Sequence, residues 1–186
     1  DLMYMAEQIA KGELNSDGKG KAIVEIMRDK GIPGVGKVTH FFSWWMAYKV
    51  GDIIPTLEKF AASQSEPCYF YFNTLSMRQP AINNDKPPGE DFQDMLARLF
   101  DESLEAAGKT VFMIEDFAKP GALYRAWCLY EIFKSIAANC TFAVVLPQKE
   151  EEKLLQEVRD GKAEDIISRF TGIDAQNAEA GNAADK

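Results

Sequence analysis

The chain has 186 residues, and 21 basic against 29 acidic side chains leave it a net charge of −8. That balance disfavours nucleic acid or an anionic membrane surface as the main partner, and no apolar run approaches the roughly 20 residues of a membrane span. Its apolar content of 46% supports one sizeable core, so the length suits a single domain with extensions.

Leu2, Met5 and Ile9 recur on one helical face, so residues 1–13 predict a short amphipathic helix, ended by Gly12 and the polar run to Gly20. Lys21–Lys30 predicts a second helix with Ile23, Ile26 and Met27 inward and Gly31 at its cap. Gly31-Ile-Pro-Gly-Val-Gly-Lys-Val38 has the length of a phosphate-binding loop, but Val38 stands where Ser or Thr would hold magnesium. The run also follows a helix and precedes a strand, the reverse of that motif's order, and reads as a flexible link. Lys37–Trp44 is the first strand, apolar enough for burial on both faces. Gly51–Ser63 is a helix with Ile53, Ile54, Leu57 and Phe60 inward and Pro55 in its first turn. Cys68–Asn73 is the second strand, and residues 74–88 form a long loop of the kind that often carries function. Glu90–Ala107 is a helix with Phe92, Met95, Leu96, Leu99 and Leu104 inward, and Lys109–Ile114 is the third strand.

Ala122–Ile136 is the next helix. Leu123, Trp127 and Tyr130, and also Ala126, Leu129, Ile132, Phe133 and Ile136, recur at steps of three and four, so most of its surface is expected to be covered. One acid, Glu131, sits among them and must be paired or border a cleft. Thr141–Leu146 is the fourth strand. Lys149–Arg159 is a charged helix with Leu154, Leu155 and Val158 on one side, and Ile166, Ile167 and Phe170 predict a further turn packing back. Strands alternating with helices predict an α/β fold, a doubly wound parallel sheet of four to five strands with extra N-terminal helices. The expected organisation is an N-terminal helical extension and Gly/Pro link over 1–36, an α/β domain over 37–174 and a polar C-terminal tail over 175–186.

Cys68, Cys128 and Cys140 are odd in number and widely spaced, which reads as buried free thiols in a reducing compartment, cytoplasmic or otherwise. No metal site is expected, because zinc needs closer clustering and His40 is the only histidine. His40, inside a strand, reads as a core histidine with satisfied hydrogen bonds, and Cys128 as an inert buried thiol. The acid runs Glu150–Glu152 and Glu164–Asp165 read as solvated faces. In an open parallel sheet, ligands bind beyond the carboxyl ends of the strands where the strand order reverses. Ser43 and Trp44 after the first strand, Asn73 after the second, and Arg125 and Glu131 on the Trp-Cys-Leu helix are therefore the candidate lining residues. Glu131 also has a plainer reading, as an acid in a salt bridge to Arg125 or Lys134 or in a hydrogen bond within the packing.

The run Arg125-Ala-Trp-Cys-Leu-Tyr-Glu-Ile132 resembles the Trp-Cys-Leu-x-Glu-Leu helix of TIR domains, and more closely a TIR-like family of algae and other protists. Val38-Thr-His-Phe-Phe-Ser-Trp-Trp45, Phe92-Gln-Asp-Met-Leu96, Gly108-Lys-Thr-Val-Phe112 and Gly172-Ile-Asp-Ala-Gln-Asn-Ala-Glu-Ala180 fit that family in order, so the resemblance spans roughly 37–180. It implies a TIR/flavodoxin-like three-layer sandwich, with the loop after the second strand bordering a cleft and helping assembly. TIR domains that cleave NAD use one glutamate of this helix, and the match carries that role to Glu131. A carboxylate there would stabilise the positive charge that develops on the ribose as nicotinamide leaves. Ser43 would lie near the nucleotide and Trp44 could stack on a ring. The bulky Trp44-Trp45-Met46 and a second loop without a Gly-rich pattern depart from the family, and both bear on substrate access.

Two functions follow. The favoured one is a TIR-like protein-interaction or scaffold module of a signalling assembly, acting through protein partners or self-association, as a subunit or domain of something larger. The alternative is an NAD+ nucleosidase using Glu131, with NAD as substrate and no cofactor. No signal peptide stands at the visible N-terminus, and organellar targeting is left open because the chain starts at Asp1. An enzyme requires an open cleft with the Glu131 carboxylate facing solvent. A module predicts a paired Glu131, a cleft plugged by Trp44 or Trp45, and apolar side chains exposed elsewhere.

Overall fold

A computed structural model describes residues 20–78, 89, 92–171, 173 and 175–179. The helix expected over 1–13, the loop from 79 to 88 and the tail beyond 179 lie outside the described residues. The elements in chain order are α1 (Ile23–Asp29), β1 (His40–Ser43), α2 (Val50–Ala62), β2 (Phe70–Tyr71), α3 (Asn73–Ser76), α4 (Phe92–Ala107), β3 (Lys109–Met113), a 3-10 turn (Gly121–Tyr124), α5 (Ala126–Ala137), β4 (Thr141–Val145), α6 (Gln148–Arg159), α7 (Ala163–Thr171) and a 3-10 turn (Ala175–Asn177). The four strands form one parallel sheet in the order β2-β1-β3-β4, the doubly wound α/β arrangement. From β1 the chain steps outward to β2 and then returns past β1 to β3, so the order reverses between β1 and β3.

The chain divides into two compact units, one of residues up to Phe42 with Cys68–Lys109, the other of Ser43–Pro67 with Thr110 onward. In the first unit Phe41 and Phe42 are fully covered. Phe41 stacks on Tyr71 at 5.6 Å and leans on Phe100 at 5.7 Å, while Phe42 meets Phe72 at 5.2 Å. Burying such a ring contributes about 1.5–3 kcal/mol. Helix α1 is anchored through Glu25. Its carboxylate accepts the Ala22 N–H at 2.8 Å and takes the Arg78 guanidinium two-pronged, at 2.8 and 2.6 Å. Thr39 joins β1 to the approach of β2: its N–H donates to the Tyr69 carbonyl, and its hydroxyl accepts the Tyr69 N–H. The buried His40 ring shares a 2.8 Å hydrogen bond with the Thr39 hydroxyl through Nδ1, and burial, with Lys109 adding to it, pushes the imidazole below its ordinary range.

The second unit packs around Val111, Phe112, Met113 and Ile114 from β3, with Ile53 and Leu57 of α2. Thr110 of β3 donates to Ser135 of α5 at 2.8 Å, and Ser135 in turn donates to the Glu131 carbonyl at 2.7 Å, so two buried hydroxyls are satisfied in series. Helix α6 reaches α2 through the Lys59–Glu151 ion pair. Arg169 of α7 pairs with Glu157 at 2.8 Å and lies over the Phe117 ring at 5.5 Å.

Several expectations need correction. The second strand is two residues rather than six, because the chain turns helical at Asn73, whose side chain accepts the Thr74 N–H. The single helix expected over 122–136 is broken at Arg125, which is extended, so α5 starts only at Ala126. Ile54 of α2 faces outward, as do Leu155 and Val158 of α6 and Ile167 of α7. Phe133 and Ile136, expected to be covered, are 65% and 66% exposed. All three cysteines are free thiols, but only Cys128 is buried; Cys68 and Cys140 lie just outside strands and are half-covered.

Candidate functional site

The site lies in the second unit, where the chain leaves β1 and runs beside α5. Ser43 is the last residue of β1, and its hydroxyl donates to Oε2 of Glu131. The next residue, Trp44, offers its carbonyl to the Cys128 thiol at 3.7 Å. Trp45 then lays its ring under the Arg125 guanidinium, 5.9 Å from the centroid. Three consecutive residues of one segment thus meet Glu131 and Cys128 of α5 and Arg125 just before it, positions spaced by three and taken in reverse order.

Glu131 is 5% exposed, and so is Trp44. Burial pushes the Glu131 carboxyl up to about 8, against the opposing pull of the Ser43 hydrogen bond. At neutral pH the group therefore keeps its proton. Burial also pushes the Cys128 thiol up, helped by Glu131, which leaves it unreactive as a nucleophile in this state.

The chain beyond Trp44 forms an aromatic cluster. Trp45 meets Tyr48 edge-on at 5.9 Å, and its ring lies close against Gly121, where a Cβ would fall 2.6 Å from Cζ3 and 2.8 Å from Cε3. Glycine at 121 is what lets the ring approach. Tyr48 is buried, and burial pushes its phenol up to about 12. Its hydroxyl lies near the backbone of Glu115 and Ala122 yet has no partner in good hydrogen-bond geometry among the described residues. The loop behind is braced by Asp116, whose carboxylate accepts the N–H groups of Ala118 and Lys119 at 2.9 and 3.2 Å.

A short C-terminal segment closes the top of α5. Arg125 and Glu179 form an isolated parallel bridge. The Ala126 N–H donates to the Glu179 carbonyl at 2.9 Å, and the Glu179 N–H donates to the Tyr124 carbonyl at 2.7 Å. The Arg125 guanidinium pairs with the Glu179 carboxylate at 3.0 Å, and Ala178 is fully covered. The Ala126 amide is one of the donors that a helix start leaves without a partner inside the helix. Here the strap supplies its acceptor, since no side chain caps the helix.

Of the five residues singled out from the sequence, Ser43 and Glu131 are bonded to each other, and Trp44 and Arg125 lie along the same register. Asn73 belongs to the other unit, where it starts α3 and its side chain accepts the Thr74 N–H at 2.7 Å. Sequence reasoning did not single out Tyr48 or Glu179 as site residues. The pairing of Arg125 with Glu179 spans 54 positions and leaves no local pattern. Among the described residues no group of three or more His, Cys, Asp and Glu side chains is placed to hold a metal ion, and no helix is long and apolar enough to cross a membrane. The arrangement is a buried carboxyl that keeps its proton and is hydrogen-bonded to Ser43, with no charged group of the pair presented to solvent. No protein-family model, curated protein or solved structure matches the chain.

Proposed function

We propose that this chain is a TIR-like protein-interaction or scaffold module that works through self-association or a protein partner. The observation that carries this reading is the state of β4. It ends the sheet, with no strand beyond it among the described residues, and not one of its five residues is buried. Phe142 stacks on Phe112 at 6.2 Å yet stays partly open, and Val144 is 50% exposed. Leaving an apolar edge strand unpaired is costly and prone to association, and a partner that covers it turns that surface into binding energy. The closed Ser43–Glu131 pair argues the same way, since a module has no need of an accessible carboxylate. Sedimentation equilibrium over a wide concentration range tests the reading. The expected result is association at high concentration that Val144→Lys weakens. A monomer at every concentration, unaffected by the substitution, would count against self-association and leave only a foreign partner.

NAD cleavage through Glu131 is the second reading. It is favoured by one observation: Ser43 and Glu131 sit together where the strand order reverses, the usual place for a ligand in this fold class. Nicotinamide release by concentrated protein, absent in a folded Glu131→Ala variant, would favour it over the module. No release from the wild type would remove it.

A further inference from the structure

We propose that the first unit carries a binding pocket for a small organic anion with an apolar body, seated between the carboxyl end of β2 and helix α4. A cavity of about 390 Å³ lies there. Its lining starts at Tyr71, the last residue of β2, and continues through Ser76, Met77 and Arg78 as the chain leaves α3. One face of α4 contributes the rest: Met95 and Leu99 stand one turn apart, with Arg98 beside them. All of these residues belong to the first unit, so the pocket shares none with the Ser43–Glu131 pair of the second. Its volume falls within the range of about 300–1,000 Å³ usual for small-molecule sites. Its place also fits the fold class, in which ligands bind beyond the carboxyl ends of the strands.

The lining selects the ligand. Met95 is buried, and with Met77 and Leu99 it supplies an apolar wall; methionine side chains adapt to the outline of what they hold. No Asp or Glu is among the described lining residues. Arg78 and Arg98 bring two guanidinium groups from two different segments. Glu25 fixes Arg78 through Nε and Nη2, and Arg98 donates to Glu102 through Nη1 at 3.0 Å. The Ser76 hydroxyl accepts the Phe72 N–H at 3.3 Å, and its own proton has no acceptor among the described residues. Two cations and an O–H donor around one apolar cavity suit a ligand that presents oxygen acceptors. A guanidinium matches the paired oxygens of a carboxylate or phosphate better than any neutral group. A bound anion competes with the exposed Glu102 carboxylate for Arg98.

The full chain with isotope-labelled methionine methyls is titrated by NMR with phenylbutyrate, phenyl phosphate and the uncharged phenylbutanol. The expected result is saturable shifts, largest at the Met77 and Met95 methyls, with at least one anion and a midpoint below about 10 mM. Whichever anion binds more tightly tells a carboxylate ligand from a phosphate one. The alcohol should bind about tenfold more weakly. Arg98→Gln should weaken the anion about tenfold and leave the alcohol unchanged. Glu102→Gln, which removes the competing carboxylate, should tighten the anion. Both side chains are exposed, at 42% and 60%, and the amide spectrum checks that each variant folds. No saturable shift at Met77 or Met95 with either anion would overturn the proposal. So would an alcohol that binds as tightly as the anions, or an anion affinity that Arg98→Gln leaves unchanged, since the cavity would then be an apolar crevice only. Should Arg98→Gln fold poorly, an anion affinity that Glu102→Gln fails to raise would overturn it as well.

Discussion

Replacing Glu131 by Gln keeps the shape of the side chain and an oxygen to accept the Ser43 hydroxyl, and removes the ability to ionise. In the folded wild type the carboxyl titrates at about 8 rather than at its ordinary 4.5. Between those values the native state holds one proton more than the unfolded chain. Stability of the wild type must therefore fall as pH rises, by at most about 1.4 kcal/mol per pH unit. Across the whole interval the loss reaches a ceiling of about 5 kcal/mol, from the same conversion. The glutamine variant carries no such loss. Urea unfolding of both proteins at pH steps from 4.5 to 9 isolates the effect, because every other titrating group is common to the two and cancels. The stability difference in favour of Glu131→Gln should be smallest near pH 4.5, grow by several kcal/mol, and level off above pH 8. A difference independent of pH would refute the reasoning, and so would a wild type that gains on the variant as pH rises. Either would mean that the carboxyl is ionised in the folded protein at neutral pH.

Ser43→Ala removes the hydrogen bond that favours the ionised form, so Glu131 should titrate above its present value, with a stability cost of about 1–3 kcal/mol at pH 7, measured by urea unfolding. Gly121→Ala drives a methyl into the Trp45 ring and should cost about 1–3 kcal/mol, with a shift in tryptophan emission as the ring is displaced. An emission spectrum and unfolding midpoint identical to wild type would show that the ring does not pack there. The Arg78 guanidinium and the Ala22 N–H hold the Glu25 carboxyl below its ordinary range. Its stabilisation is thus present above pH 4.5 and fades as pH falls through the lowered folded value. Glu25→Gln should be less stable than wild type by about 1 kcal/mol at pH 7 and approach it in acid, which an acid titration of unfolding midpoints would read.

β1 and β3 are the inner strands, and every residue of His40–Ser43 and Thr110–Met113 is buried, the apolar Phe41, Phe42 and Val111–Met113 together with the uncharged His40, Ser43 and Thr110. β4 has the same kind of sequence, Thr-Phe-Ala-Val-Val, yet it ends the sheet and is open. Composition cannot separate the two cases, because where a sheet stops depends on what else pairs with it. Helical spacing marked the apolar stripes of α5 and α6 without saying which side meets the core, hence the exposed Phe133, Ile136, Leu155 and Val158. Ser43 and Glu131 each stand out in the sequence, one by its place after a strand and the other as an acid among apolar neighbours. Their bond joins positions 88 apart and follows only from the fold. The glycine-rich run before β1 has a packing explanation as well: a Cβ on Gly36 would fall 2.5 Å from the Tyr69 ring, so one of its glycines serves an aromatic neighbour.

The reverse pairing of Ser43, Trp44 and Trp45 with Glu131, Cys128 and Arg125 bears on how this protein can change over evolutionary time. Exchanging one bulky ring for another at position 45 disturbs a single contact. Adding or deleting one residue between Ser43 and Tyr48 moves every later contact to the wrong rung of the helix, and places a side chain other than Trp45 against Gly121. Relatives of this chain should therefore vary in residue type along the segment while keeping its length, and should concentrate their insertions in loops that face no such ladder.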